Sequence, residues 1–204
     1  MSWFRHILLP LFLLVAGQMP GLSEDCNPVQ PRQRVYIVRG VGGYWPAVND
    51  IAERVRSRNY EPIVLFSSQL IVEKRRILQQ RRSGGDHGPL LIIGYSLGAE
   101  AAALLAQGLG EEGVRVDRLL LIEPFNAPDI SSNVDYCFNI YEPRSTDRWT
   151  AFRGTPVGDV SASTTLVQIN IAEHCDLNKQ VGDLNHFQIA NDPLIQELVV
   201  SQLP

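Results

Sequence analysis

Pro89 to Gly94 (PLLIIG) is an apolar run with no alternation, and within three residues it passes into an alanine-rich stretch, Leu97 to about Gln107 (LGAEAAALLAQ). A strand that never alternates has no face to give to water, so both of its faces must be covered. Helices on both sides of a parallel sheet cover it, because parallel neighbours require crossovers that pack back on the sheet. The same alternation recurs along the chain. Arg34 to Val38 (RVYIV) leads through Gly40, Gly42 and Gly43 into Trp45, Val48, Ala52 and Val55 at helical spacing. Pro62 to Phe66 leads into a helix over Gln69 to Arg82 that ends near Gly84-Gly85, and further strands are expected at Arg118 to Ile122, Asp135 to Tyr141 and Thr165 to Ile171. A last helix should start at Asp192-Pro193, where an N-cap acid precedes a proline in the first turn. The expected class is α/β, a mostly parallel sheet with helices on both faces.

At 204 residues the chain suits one domain, and 45% hydrophobic with 20% charged residues leaves no room for disorder, collagen or coiled coil. The net charge of −4 argues against a nucleic-acid partner, and Arg75-Arg76 and Arg81-Arg82 read as the solvated side of one helix. Ahead of the fold, Arg5 is followed by the uncharged run Ile7 to Gly17 (ILLPLFLLVAG) and by small and polar residues to Ser23. This is the pattern of a secretory signal peptide over residues 1–23, cleaved after Gly17 or Ser23. The run is too short to span a bilayer. The expectation is therefore a secreted or periplasmic domain over residues 24–204, with no stable membrane insertion after cleavage. Cys26, Cys137 and Cys175 would allow one disulfide, and their spacing matches no zinc pattern, so neither metal nor cofactor is expected.

The segment joining the apolar strand to the small-residue helix is Gly94-Tyr95-Ser96-Leu97-Gly98, a G-x-S-x-G sequence in a strand-turn-helix context. The flanking glycines let a tight turn carry Ser96 at the carboxyl end of the sheet. The helix behind it directs its amino terminus at the same point, so the Leu97 amide is a candidate donor to a developing oxyanion. Tyr95 is expected to have no chemical role.

A serine hydroxyl needs a neighbouring base, and the base needs an orienting acid. His6 falls in the signal segment, and His87 precedes the third strand, away from the elbow. His174 and His186 both follow the last strand, and His186, in Leu184-Asn185-His186-Phe187 just before the final helix, ranks first. Two carboxylates end strands beyond the elbow: Glu123 after RLLLI and Glu142 after FNIY. Asp147, Asp176 and Asp183 are weaker candidates. The stretch Glu142 to Ser163 is long for a plain connection and reads as a functional loop.

From Arg34 onward the chain resembles a small α/β-hydrolase of the serine esterase, lipase and thioesterase type. The resemblance rests on the Gly-Tyr-Ser-Leu-Gly elbow, the glycine loop after the first strand, Leu121-Ile122-Glu123-Pro124 and His186-Phe187-Gln188-Ile189. It implies a minimal fold without a large lid domain, and acyl transfer with Ser96 as nucleophile and His186 as base. It ranks Glu123 above Glu142 as the acid, since Glu123-Pro124 looks like the family's Asp-Pro. Arg39-Gly40 stands where related lipases carry His-Gly, which implies the Val41 amide as second oxyanion donor. The implied substrate is a small acyl ester, thioester or lipid-like ester. The competing readings are an amidase or peptidase using the same residues, and a catalytically silent binding protein.

Overall fold

The sheet contains six strands, all parallel, in the order β2-β1-β3-β4-β5-β6. In this computed structural model, which describes residues 32–84, 88–143 and 153–204, they are β1 Arg34–Val38, β2 Glu61–Leu65, β3 Leu91–Tyr95, β4 Arg118–Ile122, β5 Tyr136–Tyr141 and β6 Thr165–Asn170. The helices are α1 Val48–Ser57, α2 Leu70–Arg82, α3 Leu97–Gly110, α4 Cys175–Val181, α5 His186–Ile189 and α6 Pro193–Val200. The expected signal segment, Cys26, His87, Asp147 and much of the long loop lie outside the described residues.

The sheet separates two apolar layers, and the period-2 geometry of each strand divides its side chains between them. Val35, Ile37, Leu91, Ile93, Leu120 and Ile122 face α1, α4, α5 and α6. Their neighbours Tyr36, Val38, Ile92, Leu119 and Leu121 face α2 and α3. Small side chains such as Ala99, Ala102 and Ala106 let α3 lie close against β3 and β4. The architecture is the α/β-hydrolase type that the elbow and the strand-helix alternation imply.

Two features depart from the sequence reading. Helix α3 runs to Gly110, about one turn beyond the expected end near Gln107, because Leu105 and Leu109 continue its buried stripe past Gly108. Helices α4 and α5 were not anticipated. The first buries only Leu177 and Val181 in seven mostly polar residues, and the second is a single turn, so neither carries a readable periodicity. Cys137 is buried, and its thiol is pushed up to about 12 by desolvation. Cys175 is exposed at the start of α4, and the two are free thiols, not joined to each other.

From β1 the chain passes to β2 on one side, then returns to β3 on the other side and continues outward to β6. The order therefore reverses between β1 and β3. In open parallel sheets that reversal leaves a crevice at the carboxyl ends of the two strands, the position where ligands bind. Here the residues at that crevice are Gly40 and Val41 beyond β1 and Ser96 beyond β3.

Candidate active site

Ser96 occupies the turn between β3 and α3 with φ 54° and ψ −130°, a backbone conformation that a residue with a side chain rarely adopts. Strain of this kind costs about 1–3 kcal/mol and persists only where the surroundings impose it. The surroundings are tight. A Cβ at Gly94 would come within 2.5 Å of the Gly98 carbonyl oxygen, and one at Gly98 within 2.4 Å of the Val38 and Arg39 carbonyls. The Ser96 amide donates to the Ile122 carbonyl at 3.0 Å, tying the turn to β4.

His186 comes to this turn from the far end of the chain. It opens α5, and Asn185 fixes its position as the N-cap. The Asn185 side chain accepts from the Phe187 and Gln188 amides, while the Gln188 side chain accepts from the Asn185 amide. The imidazole Nε2 lies 2.8 Å from Ser96 Oγ, and Nδ1 lies 3.1 Å from Glu123 Oε2. An ionised carboxylate only accepts, so Nδ1 carries the proton opposite Glu123 and Nε2 is left to accept from the serine hydroxyl. All three residues are buried, with Glu123 wholly inaccessible and His186 1% exposed.

Glu123 follows β4 with φ 51°, a second left-handed residue that turns its carboxyl group across the sheet. Its amide is held by the Ile140 carbonyl at 2.9 Å. The carboxylate oxygen not facing His186 accepts from the Glu142 amide at 2.6 Å. The two strand-end glutamates thus join one network in different ways: Glu123 brings its side chain to the histidine, and Glu142 brings its backbone to Glu123. Gly154 leaves the space this carboxylate needs, since a Cβ there would lie 2.5 Å from Glu123 Oε1. His174 caps α4 through its backbone position and is exposed, with Asp176 in the first turn of that helix and Asp183 just beyond its end.

Tyr95 holds the histidine from behind. Its hydroxyl donates to the His186 carbonyl at 2.9 Å, and its ring lies 5.5 Å from the imidazole, centroid to centroid. Burial beneath Trp45 and the nearby Glu123 raise its phenol well above the ordinary range, so it stays a donor. Trp45 in turn donates from its indole nitrogen to the Ala190 carbonyl, as does the Gln196 side chain. Beyond the absence of a chemical role expected for it, Tyr95 has a structural one that the sequence reading did not include: it fixes the backbone of His186. The contact spans 91 residues of sequence, and no local pattern signals it.

On the other side of Ser96, the loop Gly40 to Gly43 forms a tight 3-10 turn in which Gly42 and Gly43 have positive φ. Arg39 braces this loop. Its guanidinium lies 5.1 Å from the centre of the Phe66 ring, and its Nη1 reaches the Gly43 carbonyl at 3.5 Å. Among the described residues, neither the Val41 nor the Leu97 amide donates to another backbone carbonyl. Both residues border a cleft of about 610 Å³ that opens over α3. Two unengaged donors at the mouth of a cleft beside a serine are suited to binding an oxyanion. No group of three or more His, Cys, Asp or Glu residues capable of holding a metal occurs among the described residues.

No protein-family model matches the sequence, and no curated protein does. Among solved structures, the chain is similar to the NocB thioesterase domain from the nocardicin cluster, with 16% identity over 86% of this chain and 93% of that one at a TM-score of 0.48. The same domain in covalent complex with a fluorophosphonate nocardicin G analog matches at 14% identity over 84% and 92%, also at 0.48. A protein of Xanthomonas campestris pv. campestris described as a hydrolase of the α/β superfamily matches at 14% identity over 83% and 99%, at 0.41.

Proposed function

We propose that this protein is an exported serine hydrolase that cleaves carboxylic ester or thioester bonds through an acyl-enzyme intermediate on Ser96. The observation that carries the reading is the unbroken chain of contacts from Ser96 Oγ through His186 to Glu123, held at the carboxyl ends of β3 and β4. In the first half-reaction, Ser96 Oγ attacks the acyl carbon while its proton passes to His186 Nε2. The carbonyl oxygen becomes an oxyanion in reach of the Leu97 and Val41 amides. Collapse of the tetrahedral intermediate breaks the bond to the leaving group, which takes the proton back from His186. Water repeats the cycle, giving its proton to His186 as it attacks the acyl-serine and releasing the acid and free Ser96. Glu123 stays ionised throughout and stabilises the imidazolium formed in each half.

Export belongs to the same reading and is supported by the charge and apolar pattern of Met1 to Ser23. No described helix is long and apolar enough to cross a membrane. The amino-terminal residue of the chain recovered outside the cytoplasm checks the cleavage position, with Gln18 or Glu24 expected.

The decisive test is labelling of the purified domain with a fluorophosphonate, with the adduct located by peptide mass spectrometry. An adduct on Ser96 that is lost in both Ser96→Ala and His186→Ala is expected. A folded protein that acquires no label would overturn the hydrolase reading and favour a binding function of the same fold. Paired ester and amide substrates then separate esterase from amidase activity.

A further inference from the structure

The cleft beside Ser96 has a direction that the chemistry can use. It is bordered by Val41 and Leu97, the two candidate oxyanion donors, and it continues over Phe66, Ala101 and Leu104. Leu97, Ala101 and Leu104 recur at four and three residues along one face of α3, so this face extends about 10 Å at 1.5 Å per residue. Val41, Phe66, Leu97 and Leu104 are all large, apolar and exposed, although most of the other side chains of α3 are buried in the core. No residue of the His186 segment borders the cleft.

Resting on the hydrolase reading above, we propose that this cleft is the acyl-chain site, and that it takes a neutral aliphatic chain of medium length. The assignment follows from proton transfer. The leaving group must lie against His186 to receive its proton, so the alcohol or thiol part of the substrate occupies the histidine side of Ser96. A groove lined by Val41 and Leu97 and by no residue of the His186 segment receives the other part. Its apolar lining gains favourable contact with each methylene that leaves water. The one charged side chain in the lining, Glu100, is turned to the Phe125 and Asn126 amides, with its Oε1 at 2.7 Å from the latter. A carboxylate at this place disfavours an acyl chain that ends in an acid.

Ethyl octanoate and octyl acetate are isomers that differ only in which side of the ester bears the long chain, and they read the direction of the cleft. The wild-type protein is expected to prefer ethyl octanoate by at least about tenfold in kcat/KM, the factor that 1.4 kcal/mol represents. Leu104→Glu, at a position 66% exposed, is expected to abolish that preference. Leu166→Glu, on β6 and away from the cleft, is expected to retain it. Equal rates for the isomers, a preference for octyl acetate, or a preference untouched by Leu104→Glu would overturn the assignment. If Ser96 still takes the fluorophosphonate label in that case, only the acyl-site proposal falls; if Ser96 takes no label, the hydrolase reading falls with it.

Discussion

The two sides of Ser96 are built in opposite ways. Toward His186 and Glu123 the site is buried, and both ring nitrogens of His186 and both carboxylate oxygens of Glu123 meet partners, with Asn185, Tyr95 and the Glu142 amide holding the two residues in place. Toward α3 it is open and apolar, with Val41 49% and Leu97 37% exposed. A buried imidazole and carboxylate are tolerable only when hydrogen-bonded in full, and that requirement fixes their geometry. Exposed apolar side chains carry the reverse penalty, since they lose free energy for as long as nothing covers them. The closed side therefore suits the transfer of a proton over a fixed distance, and the open side suits a substrate that supplies the missing contacts.

The closed side should fail abruptly when broken. Ser96→Ala and His186→Ala are each expected to lower kcat/KM by roughly 10⁵ to 10⁶, and the double variant should be little worse, because the two groups act as one unit. Comparable losses that multiplied in the double variant would show that the residues act independently. Next in size, Glu123→Gln is expected to reduce kcat by about 10⁴-fold by favouring the wrong imidazole tautomer. Glu142→Gln should reduce it by less than about tenfold, because Glu142 reaches the network through its backbone amide. Equal losses at the two glutamates would break the distinction between them. Steady-state rates on one ester, with folding checked by circular dichroism, are sufficient for all five variants.

The elbow was legible because its cause is local. Gly94 and Gly98 stand two residues from Ser96, where neighbouring backbone leaves no room for a Cβ, so the requirement is written into five consecutive letters. The sheet was legible for a similar reason, since the continuous apolar run of β3 can only be buried on both faces. The choice between Glu123 and Glu142 was not written locally: both end parallel strands with the same Glu-Pro pair, and only the left-handed turn at Glu123 separates them. Arg39 looked like an irregular substitution in a glycine loop, and its brace against Phe66 exists only once β1 and β2 are paired. Tyr95 is the clearest omission, because a tyrosine inside an elbow carries no signal that its hydroxyl will meet a carbonyl at the far end of the chain.

Tyr95→Phe sharpens the comparison at smaller scale. The variant keeps the ring against Trp45 and the imidazole and removes one hydrogen bond to the His186 carbonyl. A stability loss of about 1 kcal/mol is expected from denaturant unfolding. The catalytic consequence should fall on kcat, by about three- to tenfold, with KM little changed, because the histidine is displaced and the groove is not. A change in KM alone would mean that Tyr95 shapes the substrate side instead.

The smallest effect concerns the seam between the two sides, where Glu100 borders the groove and also holds the backbone just beyond Glu123. Burial raises its carboxyl above the ordinary range, opposed by hydrogen bonds from the Asn126 and Phe125 amides and by the nearby His186. A carboxyl whose proton binds more tightly in the folded state favours folding at low pH, and that advantage is lost as pH rises from the ordinary carboxylate range through the raised value. Glutamine keeps an oxygen for the two amides but does not ionise. Glu100→Gln should therefore gain stability relative to the wild type as pH increases across that window, and the difference should become constant above it. Urea midpoints for both proteins from pH 4 to pH 8 measure the trend. A difference that does not vary with pH would show that the carboxyl ionises as freely in the folded chain as in the unfolded one, and Glu100 would then belong with the exposed groove and not with the closed network.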